Sequence, residues 1–403
     1  MKKVLFLVSD MESGGFQKSL VTLLQCFDYS KYKIDIAVFS PTGIFLNQIP
    51  KEVNLINLAF PPSFFKKFPG CILDLIKEKK IKFALKRTFH FLLSRLNKGY
   101  AAMYMSSNFP IIDEHYDVAI DYNGQQILYY LVDKIKANKK ITYFHNDYEK
   151  WSYYYSADKL YYPKVDYIVT VSEICKQSLD KFFPECSHKT RVIENISSPT
   201  LINNMACSNL DLFDGFEGTK IVTVGRPLMS KGYDIAIKAS AKLKANGYNF
   251  RWYSIGTSNE ESKFKKMVTD LNLNNDFIFL GEKENPYPYI KQADLYAQPS
   301  RYEGKSVAID EAKILNKPII VTNFSTVLDQ IENKVNGLIT NMDEESVFKA
   351  IKEAIDYKEK LTLLTANLKN EKLGNEHEIN KLYRLIENNQ EKISNEEKIA
   401  VLN

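Results

Sequence analysis

Two glutamates, Glu303 and Glu311, are separated by seven residues in the stretch 299–311. The apolar run 293–298 predicts a buried parallel strand and residues 307–315 predict a helix, so the stretch is a strand-to-helix turn. With one glutamate in the turn and the other two helical turns later, the carboxylates can reach different parts of one elongated ligand. The alternative is a solvated pair of glutamates on a surface helix.

The start of this predicted helix is suited to an anion. Gly304 lets a ligand approach the backbone closely because it has no side chain. The free backbone N–H groups of Lys305, Ser306 and Val307 are expected at the positive end of the helix, where anions bind.

A second turn carries two cations. Gly225 ends the predicted strand 220–225, and Arg226 and Lys231 follow it five residues apart. Two positive charges across such a turn can clamp a diphosphate. The alternative is a pair of solvated cations.

Two further positions lie at predicted strand ends in the first half of the chain. His145 follows the predicted strand 140–144, whose C-terminal edge faces the cleft of a parallel sheet. Gly14 and Gly15 form a turn between the strand 3–10 and a helix from residue 16. A structural histidine and a purely structural turn are the alternatives.

Taken together, these motifs resemble the retaining glycosyltransferases of family four, which have the GT-B fold. The resemblance rests on Glu303-x7-Glu311 after Pro-Ser-x-x, and on Gly225-Arg226 followed by Lys231-Gly232. It extends over residues 225–340 and is weaker over residues 3–199. The Glu-Gly-Lys-Ser form at Glu303 is closest to bacterial members that build capsules, teichoic acids and other surface glycans.

The resemblance implies an α/β protein with two Rossmann-like domains that face each other across a cleft. We assign residues 1–199 to an N-terminal acceptor-side domain, 200–218 to a linker and 219–375 to a C-terminal domain that binds the nucleotide-sugar. Residues 376–403 contain a helix that is expected to cross back to the first domain.

The resemblance also implies a function. We expect a sugar to move from a nucleotide-diphospho-sugar, a UDP-sugar, to an acceptor hydroxyl with retention of configuration. The acceptor would be a cell-surface glycan, as in capsule or teichoic acid synthesis, or its lipid-linked precursor. A sugar-nucleotide epimerase of the same fold and a catalytically silent binding subunit are the alternatives.

By the same resemblance, Arg226 and Lys231 would stabilise the leaving diphosphate, with help from the helix start after Glu303. Glu303 and His145 would hold the donor sugar, and Glu311 would bind the ribose hydroxyls. The remaining donor-binding positions would lie in backbone turns: Gly15, Gly225, Gly304, Lys305, Ser306, Val307, Gly281 and Glu282. No metal or cofactor is expected, because fixed cations replace a metal and no Asp-x-Asp motif occurs.

Composition sets the limits of this interpretation. A chain of 403 residues with 45% apolar and 26% charged residues predicts two globular domains rather than a disordered protein. The five cysteines have neither a disulfide nor a zinc spacing, which favours a reducing cytosol. No apolar run reaches the length of a membrane span. We therefore expect a cytoplasmic protein.

Charge is concentrated in residues 64–98. This segment has ten Lys or Arg and two acidic residues, a local charge of +8, whereas the whole chain carries +5. A nucleic-acid binder would be basic more widely, so no nucleic acid is expected. Many bulky apolar residues alternate with these cations, which predicts helices lying on an anionic membrane surface. The alternative is that the apolar face packs on the first domain.

Overall fold

The computed structural model describes residues 1–12, 14–56, 58, 60–208 and 211–387. It contains two parallel β-sheets with helices on both faces, one sheet from each half of the chain. The predicted α/β fold with two Rossmann-like domains is therefore confirmed.

The first sheet has seven strands in the order β3-β2-β1-β4-β5-β6-β7. In chain order they are β1 (Lys2–Val8), β2 (Tyr32–Val38), β3 (Asn54–Ile56), β4 (Ile112–Asp121), β5 (Ile135–Phe144), β6 (Tyr167–Thr170) and β7 (Thr190–Val192). The strands at its centre are continuous apolar runs because helices cover both faces of the sheet. The run from Val4 to Val8, for example, is fully buried.

The helices of the first half are α1 (Gly15–Gln25), α2 (Gly70–Lys77), α3 (Ile81–Leu96), α4 (Lys98–Ser107), α5 (Gln126–Lys134), α6 (Tyr155–Tyr161) and α7 (Glu173–Phe182). They enclose two apolar clusters, one on each face of the sheet.

The next helix, α8 (Pro199–Met205), begins at the last residue assigned to the N-terminal domain and otherwise lies in the region assigned to the linker. Ser198 caps it through the amide of Leu201, and Pro199 occupies its first turn. Ile202 and Ala206 are buried in the core of the second half. Seven residues are too few to show a helical period, which explains why the sequence pattern missed it.

The second sheet has six strands in the order β10-β9-β8-β11-β12-β13. They are β8 (Thr219–Val224), β9 (Phe250–Ile255), β10 (Phe277–Gly281), β11 (Leu295–Gln298), β12 (Ile319–Thr322) and β13 (Leu338–Thr340). Its helices are α9 (Tyr233–Ala245), α10 (Glu261–Asp270), α11 (Tyr287–Gln292), α12 (Val307–Ile314), α13 (Glu344–Asp356) and α14 (Lys358–Asn370).

The last described helix, α15 (Ile379–Glu387), crosses back to the first sheet, as predicted. Leu382 is fully buried in the first domain's core, and the Tyr383 ring stacks on that of Tyr32. The Glu387 carboxylate accepts a hydrogen bond from Tyr32 and pairs with Lys2 at 3.0 Å. The predicted C-terminal segment after Glu387 lies outside the described residues, and the domain boundaries proposed from the sequence stay predictions.

The basic segment 64–98 contains the whole of α2 and α3, the turns beside them and the first residue of α4. Part of it packs on the first domain: Phe64, Cys71, Leu75 and Ala84 are buried. A second set of apolar side chains faces outward, and its exposed members are Leu73, Ile76, Ile81, Leu85, Phe89, Leu92 and Leu96. The segment therefore has one buried and one exposed apolar face.

Candidate functional site

Both sheets reverse their strand order beside their first strand, between β1 and β4 and between β8 and β11. Ligands of open α/β sheets bind at such points, at the carboxyl ends of the strands. Here the loops that follow these strands line one cavity of about 210 Å³ between the two sheets. Of the residues predicted for the site, all but Gly281 line it: Gly15, His145, Gly225, Arg226, Lys231, Glu282, Glu303, Gly304, Lys305, Ser306, Val307 and Glu311.

Glu303 is held by three donors. Its Oε1 accepts hydrogen bonds from Gln298 Nε2 at 2.6 Å and from Ser300 Oγ at 2.7 Å. Its Oε2 lies 2.6 Å from Lys231 Nζ. The glutamate is only 8% exposed, so these contacts fix the carboxylate in one orientation. Gln298 ends β11, and the turn after it therefore delivers a rigid negative charge to the cavity.

Glu311 has entirely different partners. Its Oε1 accepts from the Tyr287 hydroxyl at 3.0 Å and pairs with Lys18 Nζ at 2.7 Å. The residue is 2% exposed, and burial raises the pKa of its carboxyl even though Lys18 and Tyr287 act to lower it. The two glutamates thus occupy separate environments within one cavity.

The two cations of the 225–232 turn differ in their contacts. Lys231 ends a short 3₁₀ turn and pairs with Glu303, whereas no hydrogen bond or ion pair of the Arg226 side chain is seen among the described residues. Gly232 has φ +68°, and a Cβ there would lie 1.7 Å from the carbonyl oxygen of Pro299. The glycine therefore lets the 225–232 turn and the Glu303 turn pack together, which brings Lys231 to Glu303.

His145 follows β5, lines the cavity and is partly buried. Its Nε2 lies 2.9 Å from the carbonyl oxygen of Tyr122. A carbonyl only accepts, so Nε2 carries the proton and Nδ1 is left as an acceptor. That Nδ1 is buried and has no hydrogen-bond partner among the described residues. Burial lowers the pKa of the imidazole to about 4, so the ring is neutral at physiological pH.

The start of α12 departs from prediction in two ways. The Ser306 amide is not free, because it donates to Gln330 Oε1 at 2.8 Å. A Cβ on Gly304 would lie 1.9 Å from the carbonyl oxygen of His145. The close approach at Gly304 is therefore made by the first domain's backbone, and the glycine lets the two domains meet.

Gly281 ends β10 with φ +71°, and its carbonyl oxygen accepts from the Gly256 amide at 2.9 Å. It therefore joins two strand ends behind the cavity wall rather than lining the cavity. The residue after it, Glu282, does line the cavity.

Lys18 and Tyr287, the two partners of Glu311, are not among the site residues predicted from the sequence. Lys18 follows the Gly14-Gly15 turn on α1 of the first domain, and Tyr287 begins α11 of the second. The side chain of Lys305 also has an unpredicted role, since it pairs with Glu194 of the first domain. A lysine three residues after a glycine pair is a faint signal, and each partner lies far away in the sequence.

Comparison with protein families gives a match over residues 216–371 to the model described as "Glycosyl transferases group 1". This range contains both turns that carry the cations and the glutamates. The second half of the chain is therefore similar to group 1 glycosyl transferase domains.

Curated relatives align over part of the chain. The N-acetylgalactosamine-N,N'-diacetylbacillosaminyl-diphospho-undecaprenol 4-alpha-N-acetylgalactosaminyltransferase of Campylobacter jejuni is 26% identical over 49% of this chain and 53% of its own length. The capsular polysaccharide biosynthesis glycosyltransferase CapM of Staphylococcus aureus is 27% identical over 33% of this chain and 34% of its own. The alignments thus span about half of these relatives or less.

Solved structures match the whole fold. Anabaena Alr3699/HepE in complex with UDP-glucose superimposes with a TM-score of 0.69, at 15% identity, over 95% of this chain and 98% of that one. At this identity the likeness shows the shared two-domain fold.

Among the described residues, no helix is both long and apolar enough to cross a bilayer.

Proposed function

We propose that this protein transfers a sugar from a nucleotide-diphospho-sugar, with UDP as carrier, to an acceptor hydroxyl in cell-surface glycan synthesis. The observation that carries the proposal is the convergence of Arg226, Lys231, Glu303, Glu311 and His145 on one cavity between the two domains. The matched family, the named activities of the relatives and the UDP-glucose complex of a protein with the same fold support it.

In this reaction the bond between the anomeric carbon and the diphosphate oxygen breaks, and negative charge develops on the leaving phosphate. Arg226 and Lys231 offset that charge, as preorganised donors do at an oxyanion. Lys231 has three N–H donors and shares one with Glu303, so the others remain for a phosphate. These fixed cations supply the charge that a metal ion supplies elsewhere, and we propose a metal-independent reaction.

Glu303 acts as a fixed charge beside the reacting carbon rather than as a nucleophile. Both of its oxygens already accept strong contacts, from Gln298 and Ser300 on one side and from Lys231 on the other. A carboxylate held in this way is poorly placed to form a covalent bond. It can stabilise the positive charge that develops on the sugar ring. The retention we propose then requires the acceptor hydroxyl to attack the anomeric carbon from the face that the diphosphate leaves, with its proton passing to the leaving phosphate.

His145 accepts a hydrogen bond from a hydroxyl of the donor sugar. Because its Nε2 donates to the Tyr122 carbonyl, its buried Nδ1 is an acceptor that a sugar hydroxyl can satisfy. Glu311 binds the ribose hydroxyls, since carboxylate oxygens accept hydrogen bonds from vicinal hydroxyls.

We propose that the acceptor is met at an anionic membrane surface, which is reached through residues 64–98. The exposed apolar side chains of α2 and α3 lie within a segment of charge +8. Apolar side chains that enter the interface beside cations produce reversible membrane binding. Arg87 is one of the cations with a partner in the protein, since it donates to the carbonyl oxygens of Phe64 and Lys66 and so stabilises the local fold.

The test is mass spectrometry of the purified protein incubated with a panel of nucleotide-sugars and lipid-linked or glycan acceptors. A glycosylated acceptor together with released nucleoside diphosphate supports transfer. An altered sugar without a glycosylated acceptor would favour an epimerase. If no donor is consumed in the panel, a silent binding subunit becomes the better explanation.

A further inference from the structure

One ion pair joins the two domains inside the cavity wall. Lys18 Nζ, from α1 of the first domain, lies 2.7 Å from Glu311 Oε1, from α12 of the second. The same ammonium lies 4.2 Å above the centre of the Tyr287 ring, whose hydroxyl is 3.0 Å from the same oxygen. An ammonium and a phenol from different domains thus converge on a single carboxylate oxygen.

This arrangement has a directional consequence. Lys18 and Tyr287 both hold Oε1, whereas no hydrogen bond of Oε2 is seen in the part of the chain that the structure describes. The carboxylate therefore cannot rotate freely, and the direction of its second oxygen is set. Glu311 is 2% exposed, so it needs a counter-charge to remain ionised there.

Lys18 is placed to serve the cavity rather than the surface. Both Lys18 and Glu311 line the cavity between the sheets, and both also line a smaller cavity beside Gln48 and Ser198. The pair is thus shared by the walls of two cavities. A nucleoside bound here would contact Oε2 of Glu311. This oxygen belongs to the second domain, and its direction is set by Lys18 of the first domain.

We propose that Lys18 is a positioning residue that sets the Glu311 carboxylate for the ribose hydroxyls of a nucleoside diphosphate. The inference rests on the proposed function, because it assumes that the cavity takes a nucleotide. The ribose subsite is then complete only when the two domains are closed on each other, although Glu311, the residue proposed to bind the ribose, belongs to the second domain.

The test compares UDP with 2′-deoxy-UDP, which lacks one ribose hydroxyl, by isothermal titration calorimetry. A hydrogen bond to a charged group contributes about 1.5–3 kcal/mol, so the unmodified protein should prefer UDP by about 10-fold or more. Lys18→Met keeps an unbranched stem and removes the charge. We expect it to bind UDP about 10-fold more weakly and to prefer UDP over the deoxy form by about threefold or less. Affinity for inorganic pyrophosphate should stay unchanged, because the diphosphate is proposed to contact Arg226 and Lys231 rather than Lys18 or Glu311.

Two variants separate positioning from general damage. Lys18→Arg keeps the charge and should restore most of the preference for UDP. Lys31→Met removes an exposed lysine that pairs with Asp28 and does not line the cavity, and it should bind both nucleotides as the unmodified protein does. If Lys18→Met does not fold, Lys18→Gln replaces it with the same expectation.

A Lys18→Met protein that keeps its full preference for UDP over 2′-deoxy-UDP would overturn the inference and leave the proposed function intact. The inference would also be overturned if Lys18→Met weakened pyrophosphate binding as much as UDP binding. Lys18 would then affect the phosphate site as well as the ribose site, and the proposed function would still stand. If the unmodified protein binds no nucleoside diphosphate at all, the proposed function itself fails, and the inference with it.

Discussion

Replacing Arg226 or Lys231 with alanine should lower turnover strongly in both cases but should destabilise the fold only in the second. The two cations line the same cavity, and both are proposed to contact the leaving diphosphate. Only Lys231 has a protein partner among the described residues, the buried carboxylate of Glu303. The two variants therefore separate the catalytic role of a cation from its structural role.

The size of each effect follows from these contacts. Removing one preorganised donor to a developing anion costs about 2–4 kcal/mol, so kcat should fall by about 30- to 1,000-fold in either variant. Loss of a partner from a fully buried ion pair costs about 3–5 kcal/mol. Because the Lys231 side chain is 28% exposed, water screens part of this term, and we expect about 1–2 kcal/mol for Lys231→Ala. That loss corresponds to a fall in Tm of roughly 2–8 °C for a domain of this size.

The assay pairs initial rates at saturating donor with differential scanning calorimetry of each variant. Lys231→Ala combined with Glu303→Gln is the informative control, since neutralising the uncompensated carboxylate should recover part of the lost Tm without recovering turnover. The reasoning would be refuted by near-normal turnover in both single variants. It would also fail if Arg226→Ala lowered Tm as much as Lys231→Ala does.

Three further predictions concern the glutamates, the histidine and the basic segment. Glu311→Gln should mainly weaken nucleotide binding, whereas Glu303→Gln should mainly lower kcat with donor affinity largely kept, as titration calorimetry and initial rates can show. Burial lowers the pKa of His145 to about 4, below the value of about 6.5 in the unfolded chain, so its contribution to stability is present above pH 6.5 and is lost as the pH falls toward 4. The unmodified protein should therefore lose more Tm than His145→Asn between pH 7 and pH 4.5. Binding to anionic vesicles, measured by sedimentation, should weaken by about 1 kcal/mol for each exposed cation changed to glutamate. The variant that tests this carries Lys79→Glu, Lys80→Glu and Lys82→Glu.

Each of these predictions has an outcome that contradicts it. UDP that binds Glu311→Gln as tightly as the parent would remove the ribose role. Equal pH dependence of Tm in the parent and His145→Asn would mean that the imidazole is not held neutral. For the membrane, Leu85→Ser with Leu92→Ser removes two exposed apolar side chains and should weaken vesicle binding with little change in Tm. A parent protein that ignores anionic vesicles at low salt would make a soluble acceptor the better proposal.

Much of the architecture could be predicted because its signals are local. An apolar run of five residues such as Val4–Val8 can be stable only when both faces of its sheet are covered, and the alternation of such runs with helical periods leads to two parallel sheets. The turn at 299–306 was placed correctly for the same reason, since it lies between a buried run and a helical period. Where the signal is short, as in the seven residues of α8, the sequence pattern does not predict the helix.

The face that α2 and α3 leave exposed could not be assigned from sequence. Their apolar residues are frequent enough for two faces, and only packing decides that Leu75 and Ala84 are buried while Leu85 and Phe89 are exposed.

The sequence by itself determined which groups with useful chemistry follow which strands: Arg226 and Lys231 after β8, Glu303 after β11 and His145 after β5. Only the tertiary structure decided what each of them touches. Lys231 meets Glu303 because Gly232 leaves room for the Pro299 carbonyl, and Lys18 meets Glu311 because the two domains close across 292 intervening positions of chain. Contacts between distant residues depend on how whole domains pack, and a local sequence pattern carries no information about that packing.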